Sequence, residues 1–265
     1  MKGLLLFFYR LLFANKLFYK LNYGLYLLSL KGMGVLNYEN DRVSGEYNFI
    51  SRVAKRFKHP VILDVGGNEG DYSALCKQLS PEAKIVAFEP HPKTFLRLAK
   101  RAKELRFEAI NSAVSNIYEE VTLFDYASLE GSSHASLYSN VLSDFRNSET
   151  SAIRVPALTL DGFLEENKIP HVHLLKIDAE GHELKILMGI SNYLKVGQVD
   201  IIHFEFNEMN IVSKTFMKDF CDLLAGYSFY RMLPNSLLPL GKYSASKYEI
   251  FLFQNIVAIR SGITL

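Results

Sequence analysis

The chain has 265 residues, with 30 Lys and Arg against 28 Asp and Glu, a formal net charge of +2 and two cysteines. This length permits one α/β domain with an N-terminal extension. The near balance of charges excludes the broad basic field that nucleic-acid binding uses, so we expect no nucleic-acid partner. Cys76 and Cys221 lie far apart and lack metal-ligand spacing, which favours free thiols and a cytoplasmic location.

The N-terminal segment differs in composition from the rest of the chain. It is rich in Leu, Phe and Tyr, its charges are all basic, and no acidic residue precedes Glu39. Its cations are Lys2, Arg10, Lys16, Lys20 and Lys31. The uncharged runs are shorter than the ~20 residues of a membrane span, and Arg10 breaks the apolar core of a secretion signal. We predict a helical extension over residues 1–58 and a Rossmann-like domain over residues 59–265.

Two interpretations of this extension are open. A basic, aromatic-rich helix can lie at an anionic membrane surface, which would give a peripheral membrane contact within residues 1–31. Alternatively, a helix pair packs its apolar side chains on the main domain or on a second subunit, and in the second case the protein is a homodimer.

An apolar run that leads into a glycine-rich turn is the most informative motif. Val61–Val65 predicts a buried strand, and Gly66, Gly67 and Gly70 lead into a helix predicted over residues 73–79. A parallel strand, a glycine turn and a helix in this order bring the backbone close to a nucleotide at the carboxyl edge of a sheet.

The polar residues of this turn restrict the kind of nucleotide. Asn68 stands where dinucleotide-binding turns have a second glycine, and Asp64 and Glu69 add two carboxylates. Negative charge around the turn disfavours a pyrophosphate and suits a ligand with positive charge.

A second motif follows one helix later. Residues 85–89 predict a strand that ends at Glu89, and Pro90 and Pro92 stop the strand and favour a helix over residues 93–105. A carboxylate at the end of the second strand, roughly 20 residues after the glycine turn, can accept hydrogen bonds from both hydroxyls of a ribose. The next predicted strands are residues 107–111 and 120–125, and the long polar segment from 127 to 151 is then either functional or disordered.

A cluster of titratable residues follows a strand predicted over residues 172–177. Asp178, Glu180 and His182 lie where the chain leaves the sheet, and such a group can remove a proton from a hydroxyl. The alternative is structural: Asp178 caps the next helix and Glu180 complements its dipole. Glu183 is interpreted as solvated helix surface.

A further acidic strand end lies within residues 199–208. Alternation places His203 and Glu205 on one face of this strand. Carboxylates and an imidazole could hold Mg²⁺ here, but we rank a metal-free general base above a metal. His171 and His173 lack a convincing ligand set and are not interpreted as zinc ligands.

Three segments, residues 64–70, 88–90 and 175–183, resemble the FkbM family of S-adenosylmethionine-dependent methyltransferases. The resemblance covers about residues 61–208, and the chain departs from the family pattern at Gly67, where alanine is usual. It implies a Rossmann-like fold, S-adenosylmethionine as cofactor and O-methylation of a small-molecule or glycan hydroxyl, a sugar hydroxyl above all. It also implies that residues 131–136, which include His134, form a lid or substrate loop.

These arguments give two sets of candidate site residues. The cofactor-binding set is Asp64, Gly66, Asn68, Gly70, Glu89, Ser112, Ala113 and Asp178. The resemblance to methyltransferases implies that the pair 112–113 lies beside the adenine, and the alternative is that it is an ordinary polar strand end. The catalytic set is Asp178, Glu180, His182 and Glu205.

The fold class expected is a mostly parallel α/β sheet of about seven strands with helices on both faces. A helix over residues 214–224 and a strand over residues 247–253 complete it. Two other functions are open. A nicotinamide-dependent oxidoreductase explains the turn and Glu89 but requires a turn that accepts phosphate, and a non-catalytic membrane-associated nucleotide-binding protein leaves the acidic clusters unexplained.

Overall fold

The computed structural model describes residues 2–126 and 150–265. The predicted lid segment, residues 131–136 with His134, lies outside the described residues. No described helix is both long enough and apolar enough to cross a membrane.

Helices precede the sheet. The first two, α1 (Lys2–Phe13) and α2 (Tyr19–Gly32), are joined by a 3₁₀ turn, Lys16–Phe18, and we call them the N-terminal helix pair. Two short helices follow, α3 (Asp41–Ser44) and α4 (Glu46–Arg56). The apolar face of α4 is buried in the core, so this part of the segment packs with the sheet. The predicted division between residues 58 and 59 stays a prediction.

The described part of the chain forms two sheets. The strands are β1 (Val61–Val65), β2 (Lys84–Phe88), β3 (Glu108–Ile110), β4 (Ala113–Val114), β5 (Glu119–Tyr126), β6 (Thr150–Leu158), β7 (Val172–Ile177), β8 (Val199–Phe206), β9 (Tyr227–Leu233), β10 (Ser236–Pro239) and β11 (Gln254–Arg260). The large sheet has the order β10-β9-β11-β8-β7-β1-β2-β3, and a small sheet has the order β4-β6-β5. Strands β8, β7, β1, β2 and β3 are parallel, whereas β11 is antiparallel to both neighbours.

The remaining helices cover the sheet or connect its strands. They are α5 (Asp71–Leu79), α6 (Pro92–Leu105), α7 (Leu160–Glu166), α8 (Glu183–Met188), α9 (Ser191–Lys195), α10 (Met209–Val212), α11 (Met217–Leu223) and α12 (Ala245–Tyr248). The pyrrolidine ring of Pro92 suits the first turn of α6, which His91 caps by accepting a hydrogen bond from the amide of Thr94.

The central strands are buried on both faces, as expected for parallel strands that helices cover on each side. Leu63, Leu175 and Ile202 pack on one face. On the other face, polar residues of three adjacent strands are neighbours. Asp64 of β1 is paired in register with Lys176 of β7, and Lys176 is paired with His203 of β8. The second face is the one that α4 and α5 cover.

The α/β fold with a mostly parallel central sheet is confirmed, with two corrections. The sheet has eight strands, since Ser236–Pro239 adds an antiparallel edge strand beside Tyr227–Leu233. The closing strand is Gln254–Arg260, and the prediction of a strand over residues 247–253 is wrong. Tyr248 lies in a short helix, and its hydroxyl donates to the carbonyl oxygen of Gly241 (2.6 Å). The strand that follows, Gln254–Arg260, is the one that lies between β8 and β9.

Candidate functional site

The carboxyl ends of β1, β2, β7 and β8 surround a cavity of about 650 Å³, which we call the edge cavity. Most of the predicted site residues line it: Gly66, Asn68, Glu89, Ser112, Ala113, Asp178, Glu180, His182 and Glu205. Asp64 instead lines a neighbouring cavity of about 970 Å³, the acidic cavity, which also includes Gly66, Asn68, Asp178 and Glu205. Gly70 is not among the residues that line either cavity.

Gly66 allows the ends of β1 and β7 to approach each other. Its φ is +80°, and a Cβ at this position would lie 1.7 Å from the carbonyl oxygen of Asp178. The amide of Asp178 in turn donates to the carbonyl oxygen of Val65 (2.9 Å). A larger residue at position 66 would therefore disturb this junction whether or not a ligand is bound.

The backbone amides of the glycine turn already have acceptors within the protein. The amides of Gly66 and Gly67 donate to the carbonyl oxygen of Phe88 at 3.0 and 2.9 Å. The amide of Asn68, a residue held at φ +46°, donates to Oε2 of Glu89 at 2.9 Å. A phosphate at this turn would have to compete for these amides, in contrast to the free N–H groups of a phosphate-binding turn.

Glu89 is held in place at the end of β2. Its Oε1 accepts a hydrogen bond from the amide of His91 (2.8 Å), and Asn111 donates from Nδ2 to its carbonyl oxygen (2.8 Å). Burial raises the pKa of this carboxyl to about 7, although the hydrogen bonds from His91 and Asn68 oppose the shift. Each carboxylate oxygen retains a lone pair, so the group can still accept from a diol.

Gly70 and Ser112 have mainly structural contacts. A Cβ at Gly70, which has φ +86°, would lie 2.9 Å from a methyl group of Leu98, so this glycine allows α5 and α6 to pack closely. The hydroxyl of Ser112 lies 2.8 Å from the carbonyl oxygen of Ala113 and 2.9 Å from that of Pro156. Ser112 and Ala113 nevertheless form one wall of the edge cavity.

A buried lysine surrounded by carboxylates forms the acidic part of the site. Lys176 Nζ lies 3.1 Å from Oδ2 of Asp178, and only 4% of the lysine side chain is exposed. Burial alone would lower the pKa of Lys176, but four carboxylates outweigh it and raise that pKa. They are Asp178, Glu205, Asp64 and Glu46.

Four carboxylates surround one lysine in this cluster, so the lysine does not neutralise all of them, and the pKa values of three carboxyl groups are raised. Burial raises the pKa of Asp64, Glu205 and Glu46, and Lys176 opposes each shift. Asp64 accepts a hydrogen bond from the Ser73 hydroxyl at 2.6 Å through Oδ2. Its buried Oδ1 has no hydrogen-bond partner among the described residues. An unpaired buried acceptor is costly, and it marks a place where a ligand cation or donor can bind.

Sequence reasoning missed Lys176 and Glu46. A lysine within the apolar run Leu174–Ile177, one position before the strand ends, was the available signal for Lys176, because a buried lysine requires a compensating carboxylate. Glu46 had no comparable signal, since its proximity depends on the packing of α4.

The turn from residue 178 to 183 is organised by Glu183. Its Oε1 accepts hydrogen bonds from the amides of Ala179 and Gly181 at 3.1 and 3.0 Å, and Oε2 accepts from Asn210 Nδ2 at 3.3 Å. Burial raises its pKa to about 7. The interpretation of Glu183 as solvated surface is therefore wrong. Glu180 has φ +48°, a second strained residue beside the edge cavity after Asn68.

His182 lies at the start of α8 and is buried. Its Nε2 is 3.1 Å from the Ser115 hydroxyl, and burial lowers its pKa to about 4, with Lys185 adding to the shift. The imidazole is therefore neutral at pH 7. His203 is similarly enclosed, between the Tyr72 hydroxyl (3.1 Å) and Asn255 Oδ1 (3.0 Å), and burial lowers its pKa to about 3.

A second titratable group lies at the opposite edge of the sheet, where β7 and β8 begin. His171 Nε2 lies 2.9 Å from Oδ2 of Asp200, and Arg260 Nη2 lies 2.7 Å from Oδ1. His173 is near enough for the three ligand atoms of His171, His173 and Asp200 to lie within 4.8 Å of one another. Its Nδ1, however, accepts a hydrogen bond from the Val61 amide (3.0 Å). We interpret the group as an ion pair of Asp200 with Arg260, to which His171 adds a hydrogen-bond contact.

The fold and the edge cavity together define a Rossmann-like nucleotide-binding protein, with acidic residues where parallel strands end. Residues 64–229 match the family model described as the methyltransferase FkbM domain. The chain belongs to the FkbM family of S-adenosylmethionine-dependent methyltransferases, as the sequence motifs predicted.

Three similar proteins illustrate the relationship. A hexuronic acid methyltransferase of Haloferax volcanii is 29% identical over 135 residues, which are 51% of this chain and 52% of the relative. A 2-O-methyltransferase of Sinorhizobium fredii is 23% identical over 190 residues, 67% of this chain and 76% of the relative. The solved structure of an O-methyltransferase from Bacillus cereus in complex with SAH has a TM-score of 0.43, at 11% identity and with 96% of each chain covered. The chain thus spans about half the length of the first of these relatives.

Proposed function

We propose that this protein transfers a methyl group from S-adenosylmethionine to a hydroxyl of a sugar in a glycan or glycolipid. The observation that carries the proposal is the edge cavity, in which Glu89, the glycine turn and Asp178 come together at the ends of parallel strands. S-adenosylmethionine supplies the methyl group, which it carries on a positively charged sulfur.

The residues present fit this cofactor. Glu89 retains lone pairs for the two ribose hydroxyls, and Ser112 and Ala113 form the wall beside which an adenine would lie. The carboxylates of Asp64 and Asp178 favour the positively charged sulfonium and ammonium groups of the cofactor, and the unpaired Oδ1 of Asp64 is an acceptor for a donor such as the ammonium group.

The same turn disfavours a nicotinamide dinucleotide. Its amides at positions 66, 67 and 68 already donate to Phe88 and Glu89. A pyrophosphate would also lie beside the carboxylates of Asp64 and Asp178, and like charges repel. The oxidoreductase alternative therefore lacks the phosphate site that it requires.

We assign the proton transfer to Asp178. This residue lines both cavities and is 35% exposed, so an acceptor hydroxyl can reach it. Burial raises the pKa of Glu205 and so disfavours its ionised form, whereas Asp178 is partly exposed and is paired with the Lys176 ammonium. We therefore assign the base to Asp178 and not to Glu205. S-adenosylmethionine would supply the methyl group: its carbon–sulfur bond would break as the acceptor oxygen bonds to the methyl carbon, and S-adenosylhomocysteine would leave. The Asp178 carboxylate would take the hydroxyl proton. We assign His182 a structural role in the lining of the edge cavity, because its Nε2 lies within hydrogen-bond distance of the Ser115 hydroxyl.

A sugar acceptor has support from the relatives. The two matched enzymes are described as a hexuronic acid methyltransferase and a 2-O-methyltransferase. The chemistry requires only one hydroxyl proton to be removed and the acceptor to be positioned in line.

The test is a methyl-transfer assay with isotopically labelled S-adenosylmethionine and two oligosaccharide sets, one containing hexuronic acids and one neutral. We expect a labelled methyl ether, identified by mass spectrometry and NMR. Glu180→Gln changes another residue of the predicted catalytic set on the same turn. Comparing its rate of methyl transfer with that of Asp178→Asn shows which carboxylate takes the proton. Label on nitrogen or carbon instead of oxygen would contradict the O-methylation, and NAD turnover without methyl transfer would contradict the whole proposal.

A further inference from the structure

The N-terminal helix pair presents large apolar side chains to the exterior. Leu5 is 72% exposed and Leu17 is 84% exposed. The pair has exposed apolar or aromatic residues on all sides: Leu4, Leu5, Leu6, Phe7, Phe8, Tyr9, Leu11, Leu12, Leu17, Tyr19, Leu21, Tyr23, Leu25, Tyr26 and Leu28. The interpretation that these side chains pack on the protein's own main domain is therefore contradicted, whereas contact with a second subunit or with a membrane surface stays open. Large exposed apolar side chains that follow one another along both helices are typical of an interaction surface.

The helix pair has a defined internal structure. The Tyr9 hydroxyl donates to Oδ1 of Asn22 (2.5 Å), and Nδ2 of Asn22 donates to the carbonyl oxygen of Phe13 (2.9 Å). The Phe13 and Phe18 rings pack edge to face with centroids 5.0 Å apart. Asn15 caps the connecting turn by accepting from the amide of Leu17 (3.0 Å). The exposed surface is thus presented by a folded unit.

The charge of the pair indicates the partner. Every charged residue before Glu39 is basic. Lys31 is paired with Glu39 (2.7 Å), which lies beyond the pair. Arg10, Lys16 and Lys20 lie in the same segment as the exposed apolar side chains, and in sequence Arg10 follows Tyr9, Lys16 precedes Leu17 and Lys20 follows Tyr19. Cations among Tyr, Phe and Leu suit an anionic lipid surface, where the apolar side chains enter the headgroup boundary. A second copy of the same basic surface would instead bring like charges together.

The helix pair is directly connected to the rim of the edge cavity. Val35, three residues after α2, is buried and bridges to Gln254 of β11. The amide of Leu36 donates to the carbonyl oxygen of Phe253 (2.8 Å), and the Tyr38 ring packs against the Phe253 ring at 5.8 Å. Leu36, Tyr38 and Phe253 all line the edge cavity.

We propose that the N-terminal helix pair docks on an anionic lipid surface and thereby holds the edge cavity next to the membrane, where the acceptor is a lipid-linked sugar. The statement about the acceptor rests on the proposed function, whereas the docking does not. Because aromatic and apolar side chains enter the boundary, binding has an electrostatic part and an apolar part that can be measured separately.

The docking test is co-sedimentation of the full chain with vesicles of phosphatidylglycerol and phosphatidylcholine in equal parts, and with phosphatidylcholine alone. We expect binding to the anionic vesicles that weakens as salt rises. Lys16→Gln with Lys20→Gln should weaken it about 25-fold, since each cation contributes about fivefold. Leu5→Ser and Leu17→Ser should each weaken it roughly tenfold or more. Val196→Ser, a change at a similarly exposed residue (68%) outside the pair, should leave it unchanged.

S-adenosylhomocysteine binding of each variant, measured without vesicles, separates docking from the proposed function. Variants that lose vesicle binding but bind S-adenosylhomocysteine as tightly as the parent protein support the proposal. No binding of the intact chain to anionic vesicles at low salt overturns it, and so does a stable dimer that Leu17→Ser dissociates while vesicle binding is absent. If docking holds but lipid-linked and free sugars are methylated equally fast on vesicles, the acceptor part is overturned.

Discussion

Each edge of the sheet has a buried aspartate, and the pKa of one is lowered whereas the pKa of the other is raised. At the amino edge, Asp200 has one oxygen on Arg260 and the other on His171, and these contacts outweigh burial and lower its pKa. At the carboxyl edge, Asp64 has one unpaired oxygen and burial raises its pKa, although Lys176 is close. Both carboxylates are buried, but only the first is fully compensated by the protein itself.

The comparison distinguishes a group that stabilises the fold from one that awaits a ligand. Both oxygens of Asp200 have partners, so removing this carboxylate should destabilise the fold, and no oxygen is left for a ligand. Arg260 Nε of the same group is buried without a hydrogen-bond partner among the described residues, but it is a donor and not an acceptor. A set of carboxylates with one buried lysine costs stability in the free protein, and a bound cation would relieve that cost. Substitutions at the two edges should therefore affect function and stability separately.

The largest effect is expected for the proposed base. Asp178→Asn removes the proton acceptor and should lower the rate of methyl transfer by about 10²–10⁴-fold, measured as kcat with the labelled cofactor. His171→Gln at the amino edge is the matched control and should retain full activity. Equal rates in Asp178→Asn and the parent protein would show that this edge does not supply the base.

The second effect concerns stability. Asp200→Asn should lower the free energy of unfolding by about 1.5–3 kcal/mol, because it weakens hydrogen bonds to charged partners, whereas Asp64→Asn should cost less or stabilise the free protein. The lowered pKa of Asp200 means that its contribution is present above the unfolded-state pKa and is lost as pH falls through the folded-state value. Urea denaturation at pH 7 measures both variants. A larger loss in Asp64→Asn than in Asp200→Asn would contradict the comparison.

The third effect is on cofactor affinity. Glu89→Gln replaces the carboxylate while it keeps one oxygen acceptor for the turn, and it should weaken S-adenosylhomocysteine binding by about 1.5–3 kcal/mol, roughly 10- to 150-fold. Glu69→Gln, a change on the outer side of the same turn where Glu69 pairs with Arg97, is the control. Isothermal titration calorimetry measures the affinities. Equal weakening by both substitutions would assign the loss to turn geometry and not to the ribose contact.

The smallest effect is a pH dependence of the same affinity. The pKa of Glu89 is about 7 in the free protein, and only its ionised form accepts from both ribose hydroxyls. Affinity should therefore rise about tenfold between about pH 6 and pH 8, and the rise should disappear in Glu89→Gln. Because this raised pKa lies above the unfolded-state value, the same carboxyl favours the folded free protein at low pH and loses that contribution as pH rises toward 7. A pH profile that is identical in the two proteins would remove Glu89 as its source.

The part of the site that could be predicted consists of residues at strand ends. Glu89 and Asp178 each follow a short apolar run, and the parallel order of such strands brings their ends to one edge. The environment of Glu183 could not be predicted in this way, because its three donors come from a turn and from Asn210, which is 27 residues away. The Lys176 cluster depends on strand register and on α4, and both are tertiary properties. The closing strand was misplaced because residues 247–253 are as apolar as the strand that follows them.

The most direct test of the account is a calorimetric titration of the purified chain with S-adenosylhomocysteine and, separately, with NAD⁺. We expect saturable binding of S-adenosylhomocysteine at one site per chain, weakened by Glu89→Gln and unaffected by His171→Gln, and no binding of NAD⁺. Binding of NAD⁺ without binding of S-adenosylhomocysteine would contradict the assignment of the carboxyl edge as a methyl-donor site.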